Sequence, residues 1–420
     1  MSVWDGLVGQ DAVVETLRGA ALAARGADET GDEFSAGSAD APATAAAAPA
    51  PAGGDTVGAR MTHAWLVTGP PGSGRSVAAR AFAAALMCTA PGEPGCGECA
   101  ACTTALAGTH ADVTVLATEK VTISIDEVRE LVTLAQRAPG SSRWRVVVVE
   151  DADRMVERTS NLLLKSIEEP PPRTVWLLCA PSPRDVVTTI RSRCRSIHLR
   201  IPDPAAVADL LVRRDGADPD VALEAAHAAQ SHIGLARRLA LHEDARERRR
   251  DLLRVPLELR SVGDAVLAAA HLVEIAAADA AASTENRNAA ERTELLRTLG
   301  AEDGGRLPPA LRAQVRQLEE DQKRRTTRAQ RDVLDGSLLA LMSLYRDVLL
   351  RQLGSTVEPV NTAAADVVAE LARGSTAETT LRRLDAVSTA RTRLTLNVPP
   401  LLATEALMVE LWSGTDLERV

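Results

Sequence analysis

The sequence predicts an α/β domain with a parallel sheet, followed by an all-α region. Three features carry this reading. Apolar strand-like runs alternate with helical periods up to about residue 200, a glycine-rich loop joins the first run to a helix, and beyond that point strand signals stop while the helical period continues.

Val3–Gln10 precedes a helical pattern with Val13, Val14, Leu17, Ala20 and Ala21 on its apolar face. From about Ala27 to Arg60 the composition turns to Ala, Gly, Pro, Asp and Ser. Such a stretch cannot bury enough surface to offset its ordering entropy, so a disordered insert is expected there. Trp65-Leu-Val-Thr then reads as a strand that enters Gly69-Pro-Pro-Gly72-Ser-Gly74-Arg75-Ser76, and an alanine-rich helix follows to about Met87. This is the layout of a phosphate-binding loop, G-x-x-x-x-G-K-[ST], with arginine at the lysine position. Gly69, Gly72, Gly74 and Ser76 keep a cradle of backbone N–H groups at a helix N-terminus. Arg75 keeps the charge, but a planar guanidinium does not take the place of an ammonium at a tight phosphate site. Backbone N–H groups do much of the work of holding a phosphate, so ATP or ADP in this loop stays an open question.

Cys88, Cys96, Cys99 and Cys102 follow, with the spacing C-x7-C-x2-C-x2-C. In a cytoplasmic chain such clustering points to metal before disulfides, and four thiolates suit a tetrahedral structural zinc. Gly92, Gly95 and Gly97 permit the bends that wrap an ion.

Val113–Leu116 is a predicted strand, and Ser124-Ile-Asp-Glu127 opens a helix with a capping box, ended by Pro139. Arg145–Val149 is a continuous apolar strand, as in a sheet covered on both faces. It ends in Glu150-Asp151-Ala-Asp153. An acidic pair at such a strand end, downstream of a phosphate loop, is where Mg²⁺ and an attacking water are handled. Here the usual Asp-Glu order is inverted, so Glu150 is too long for the metal position and Asp151 too short for the water-activating one. Asn161–Pro172 is a helix stopped by prolines, Val175–Cys179 the next buried strand, and Ile197–Arg200 the last one. Cys179 and Cys194 read as small buried residues.

Residues 203–250 predict short helices, with Gly234-Leu-Ala-Arg237 at a helix start. The rest is helical by period, and a charged stretch over 283–331 reads as an insertion. Two basic clusters, Arg246 with Arg248–Arg250 and Lys323–Arg325 with Arg328, read as solvated helix faces, with contact to DNA phosphates as the alternative. The net charge of −9 excludes a protein that coats nucleic acid by overall charge. With aromatics at 2%, the cores must come from Leu, Val, Ile and Ala. Met1–Val8 carries no secretion signal, and no uncharged apolar run reaches the roughly 18 residues of a spanning helix, so a cytoplasmic chain with no membrane contact is expected.

As a set, Val8-Gly9-Gln10, the loop 69–76, the cysteine module 88–102, Glu150–Asp153, Asn161–Pro172, Ser192-Arg193-Cys194 and Gly234–Arg237 resemble the AAA+ subunits of the bacterial clamp loader. The likeness covers most of residues 1–240, and Arg391–Leu402 is similar to the end of that family's helical collar. The resemblance implies a RecA-like AAA+ domain over 1–202, a helical lid over 203–252 and a collar over 253–420. Arg75, Glu150-Asp151 and Ala180-Pro181 stand where the ATP-hydrolysing tau/gamma motor has Lys, Asp-Glu and Thr, so within the family the likeness is to the delta-prime branch. That implies a hetero-pentameric ring with tau/gamma and delta subunits, which opens the sliding clamp and places it on primer-template DNA. It also implies a degenerate nucleotide site made of Val8, Gly9, Gly69, Gly72, Gly74, Arg75, Ser76, Glu150, Asp151 and Arg237. Arg193 would then be an arginine finger supplied to the neighbouring subunit's ATP site, while Arg191 and Arg195 read as surface residues. Two other readings stand beside this one: an active tau/gamma-like ATPase, and a zinc-stabilised adaptor of another AAA+ machine. Nothing resembles a nucleotidyl-transfer site, so any DNA polymerase activity would belong to the assembly.

Overall fold

Among the described residues five strands form one parallel sheet, in the order Val113–Leu116, Arg145–Val149, Thr174–Ala180, Ala64–Thr68 and Arg195–His198, and the other regular elements are helices. The computed structural model describes residues 2–29, 61–118, 122–298 and 309–413. Most of the expected insert 27–60, and 299–308 of the charged insertion, therefore lie outside the described residues. In chain order the elements begin with α1 (Asp11–Glu29), β1 (Ala64–Thr68), α2 (Arg75–Met87), α3 (Ala100–Ala107), β2 (Val113–Leu116), α4 (Ile125–Ala135) and β3 (Arg145–Val149). They continue with α5 (Glu157–Glu168), β4 (Thr174–Ala180), α6 (Thr188–Arg191), β5 (Arg195–His198), α7 (Pro204–Asp215), α8 (Pro219–Ala228) and α9 (Ile233–Leu241). The last are α10 (Glu243–Glu258), α11 (Val262–Thr298), α12 (Pro309–Gln352), α13 (Ala365–Arg373), α14 (Ala377–Thr395) and α15 (Pro400–Ser413). The chain divides into two units, Met1–Ala226 with Ser231–Leu235, and His227–Gln230 with Ala236–Val420.

In the first unit, alternate residues of the central strands feed two separate cores. Trp65, Val67, Val146, Val148, Val175, Leu177 and Cys179 pack with α1, α2 and α3 on one face. Leu66, Val147, Val149, Trp176 and Leu178 pack with α4, α5 and α6 on the other. Every residue of β1, β3 and β4 is buried, which is why these strands read as unbroken apolar runs. The predicted α/β sheet followed by helices is thus the architecture observed. Boundaries moved where hydrogen bonding overrides apolarity: β5 spans Arg195–His198 because those residues pair with Trp65–Thr68 of β1, and Leu199 N–H closes the ladder on Thr68 O. Likewise α4 stops at Ala135, before the expected Pro139, and its capping box is made between Ser124 and Glu127. The first helix runs to Glu29, so residues 27–29, expected to begin the insert, are helical.

The edge beside β2 is secured by one buried acid. Asp112 accepts from the backbone N–H of Gly140, Ser141 and Ser142, from both serine hydroxyls and from Arg145 Nη2 at 3.0 Å. These donors hold its carboxyl well below the usual carboxylate range despite its burial.

In the second unit, Leu334, Leu338, Leu341, Leu344, Tyr345 and Val348 of α12 centre a core shared with α10, α11, α13, α14 and α15. By length and composition alone, Val262–Arg297 of α11 meets the requirement for a membrane-crossing helix, where the sequence reading expected none. Its Ala265, Ala269, Leu272 and Ala276 are instead packed in this core, as in any bundle helix. The described part of the charged stretch, expected as an insertion, lies on the two long helices themselves. It continues α11 and α12 as an antiparallel pair whose contacts turn polar: Thr284 Oγ1 meets Thr326 Oγ1 at 3.2 Å, Gln322 donates to Asn288 O, Arg325 bridges Asn288 and Glu291, and Arg292 meets Glu319.

Candidate functional site

The phosphate loop sits at the carboxyl end of β1, between β4 and β5, the edge of an α/β sheet where ligands bind. Gly72 and Gly74 have φ of 80° and 94°, backbone that side chains rarely adopt, and Gly74 caps α2. The N-terminal segment is brought to the same place. A Cβ on Gly74 would lie 3.8 Å from Leu7, and Gly9, at φ 68°, lies against Pro202. Gln10 fixes this approach: its side-chain amide donates to Arg200 O and accepts from Arg200 N–H.

Inside the loop the expected groups are present but turned to one another. Arg75 Nη1 donates to Gly69 O at 3.0 Å, so the guanidinium closes back on its own loop. Ser73 Oγ is buried with no hydrogen-bond partner among the described residues, and a Cβ on Gly69 would lie only 2.7 Å from it. His232, which sequence reasoning missed, lies directly against the loop: a Cβ on Gly72 would meet its Cγ at 2.3 Å and its Cα at 2.7 Å. His232 Nδ1 accepts from Leu235 N–H and so caps α9. Burial, and then the Arg75 charge, push its pKa below the ordinary histidine value. No spacing rule links positions so far apart; only the fold brings them together.

The acidic strand end is likewise engaged. Glu150 Oε1 accepts from Arg80 Nε at 2.8 Å, and Asp151 lies 3.6 Å from Arg154. Asp153 is raised above the usual carboxylate value by burial and by Asp151. Cys179 lies beneath the loop, its Sγ 3.9 Å from Arg75 O, and burial pushes its thiol up to about 12. Arg80 was missed because nothing in a helical period distinguishes an arginine facing a strand end from one facing solvent. Arg237 is exposed on α9 in the second unit.

Arg193, at the turn after α6, is held through two of its three nitrogens. Its Nε lies 2.6 Å from Glu168 Oε1, and Nη1 donates to Thr189 O at 2.9 Å and to Ser192 Oγ at 3.3 Å. The basic clusters of the second unit are largely committed internally. Arg248 pairs with Asp244 and Asp279, Arg249 donates to Asn361, Arg324 pairs with Glu320 and Asp321, and Arg325 with Glu291. Burial lowers Arg249 to about 10.

The four sulfurs of Cys88, Cys96, Cys99 and Cys102 lie within 4.8 Å of one another. A tetrahedral Zn–S₄ centre has sulfurs about 3.8 Å apart, so the donor set fits a metal after small movements. Cys99 N–H points to Cys96 Sγ at 3.3 Å and Cys102 N–H to Cys99 Sγ at 3.4 Å. Burial works against a thiolate at Cys99, but the Thr89 and Cys102 N–H groups hold it at about 6. Gly92, Gly95 and Gly97 all have positive φ, as their bends require. The module is tied to the N-terminus by Val3 N–H to Gly95 O and Trp4 Nε1 to Pro94 O, and to α1 by Arg25, which donates to the carbonyls of Cys88, Ala90 and Gly92.

Residues 56–203 match the family described as DNA polymerase III, delta subunit. The chain is similar to DNA polymerase III subunit delta' of Pseudomonas aeruginosa, at 40% identity over 169 residues, which is 40% of this chain and 52% of that protein. The likeness is thus to delta-prime subunits over part of the chain. Subunit delta' of Escherichia coli is 36% identical over 159 residues, 37% of this chain and 47% of that protein. Subunit gamma/tau of Mycobacterium bovis is 33% identical over 156 residues, 37% of this chain and 27% of that protein. The chain thus spans about half the length of the delta-prime relatives. The family match over residues 56–203 contains the glycine loop, the cysteine cluster, Glu150-Asp151 and Arg193, and stops short of the all-helical remainder.

Proposed function

We propose that this chain serves as the delta-prime subunit of a bacterial clamp loader: a member that does not hydrolyse ATP itself and supplies Arg193 to a neighbour's ATP site. The observation that carries the reading is the contrast between two arginines. Arg75 is folded onto Gly69 O inside its own loop, whereas Arg193 lies partly exposed beside Glu168. His232 against Gly72, and Glu150 paired with Arg80, support a degenerate pocket. An arginine finger stabilises charge on a transferring phosphoryl group and is worth about 10³-fold or more at the site it serves. A chain with a closed pocket of its own can therefore still be chemically essential.

In this reading residues 1–202 form the AAA+ domain, 203–252 the lid and 253–420 the collar. The partners are tau/gamma and delta subunits in a hetero-pentameric ring, the sliding clamp, and primer-template DNA reached through the assembly, in the cytoplasm. Cys88, Cys96, Cys99 and Cys102 would hold a structural zinc that fastens the N-terminus and α1 to α2 and α3. The test is reconstitution: the isolated chain should show no ATP turnover, and Arg193→Ala should leave ring assembly intact while lowering DNA-stimulated ATPase. Motor-like turnover by the isolated chain, lost on Glu150→Ala, would favour the tau/gamma-like reading instead. Failure to assemble with delta and tau/gamma would favour an adaptor of another machine.

A further inference from the structure

We infer that Glu168 is the positioning residue of Arg193, and that the two together present Nη2 as the donor edge offered outside this chain. The inference rests on the arginine-finger reading and adds to it the residue that sets the finger's geometry. A guanidinium has five N–H donors: one on Nε and two on each terminal nitrogen. In this structure Nε faces Glu168 Oε1 at 2.6 Å, and Nη1 faces Thr189 O and Ser192 Oγ at 2.9 and 3.3 Å. Among the described residues no acceptor engages Nη2. Nε and Nη1 are thus engaged, and Nη2, at the tip of the guanidinium between them, is the nitrogen left for a group outside this chain. A donor group oriented before it meets developing charge is what electrostatic catalysis requires, because no reorganisation is then needed at the moment of reaction.

The mounting is stiff on both sides. Glu168 ends α5 just before three consecutive prolines, Pro170–Pro172, and its neighbour Ile167 is fully buried. Arg193 follows α6, its N–H donates to Ile190 O, and Ile190 is fully buried in the same core as Ile167. A carboxylate in the last turn of a helix faces the negative end of the helix dipole, so this is a poor place for Glu168 unless a cation compensates it. The pair is 38% and 44% exposed, so it contributes little to stability. Its effect would fall on orientation. This gives the Glu-Glu-Pro-Pro sequence at 168–171 a task that periodicity alone did not assign.

The experiment is a double-substitution cycle in the ring reconstituted with tau/gamma and delta subunits, reading DNA-stimulated ATPase. The quantity compared is the Arg193-dependent turnover, wild type minus Arg193→Ala. Glu168→Ala should lower it about fivefold, the rate equivalent of about 1 kcal/mol, with KM for ATP unchanged. Glu168→Gln keeps an oxygen beside Nε and should recover most of that loss. In the Arg193→Ala background, Glu168→Ala should have no further effect, since it acts only through the guanidinium. Equal loss with and without Arg193, or no loss on Glu168→Ala while Arg193→Ala is impaired, overturns the positioning role and leaves the finger standing. No loss on Arg193→Ala removes the finger and the positioning role together.

Discussion

Asp112→Asn tests how the sheet that carries the site is held in register. The carboxylate is 1% exposed and its partner Arg145 8%. One oxygen accepts from Gly140 N–H and Arg145, and the other from the N–H and hydroxyl groups of Ser141 and Ser142. An amide would place an NH₂ against donors on one side and leave a buried guanidinium without its counter-charge. Breaking a buried pair in this way costs about 3–5 kcal/mol, and because Arg145 keeps the carbonyls of Arg137 and Ala138, the low end, about 3 kcal/mol, is expected. For a unit of this size that corresponds to a melting shift of roughly 6–12 °C. The pH dependence has a definite sign. The folded-state carboxyl is held below its unfolded value of about 3.9, so its stabilisation is complete above that pH and is lost as pH falls through the lower folded value. The gap between wild type and Asp112→Asn should stay constant from neutrality to about pH 4.5 and shrink below about pH 4. Urea unfolding of the full chain at several pH values measures it. A gap under about 1 kcal/mol, or one that does not narrow in acid, would refute the reasoning.

Metal analysis of chain purified without chelator should give about one zinc per chain, and Cys102→Ser should lose the metal and lower the melting temperature; a folded, metal-free wild type contradicts the zinc reading. At the phosphate loop, Arg75→Lys alone should leave Mg–ADP binding weak, because the His232 ring still lies against Gly72. Arg75→Lys with His232→Asn, which keeps an N-cap for α9 but removes the ring, should tighten it by about tenfold or more. Equal affinity in the single and double variants, by calorimetry, argues that His232 does not occlude the loop.

The alternation of strand and helix, the glycine loop and the cysteine spacing were all legible in the sequence, because each is a local pattern. Trp65–Ser76, Cys88–Cys102 and Ser124–Glu127 impose their geometry over a few residues, and periods of two and 3.6 persist where a face is buried. The loop's departures from the motif showed as well, since Arg75 and the Glu150-Asp151 order differ from a pattern whose chemistry is local. The extent of β5 was not legible, since pairing with β1 decides it rather than apolarity. Nor was the continuation of α11 and α12 through the charged stretch, where cross-helix polar contacts such as Thr284 with Thr326 replace the apolar signal. Above all, the partners that decide what each arginine can do lie far along the chain: Gly69 O for Arg75, Glu150 for Arg80, Glu168 for Arg193, and His232 over Gly72. Sequence by itself set the chemistry available at each position, because side-chain identity and local spacing are one-dimensional properties. Which charges are already satisfied and which are presented outward is set by distances of a few ångströms between remote segments, and only the packing of sheet and helices determines those.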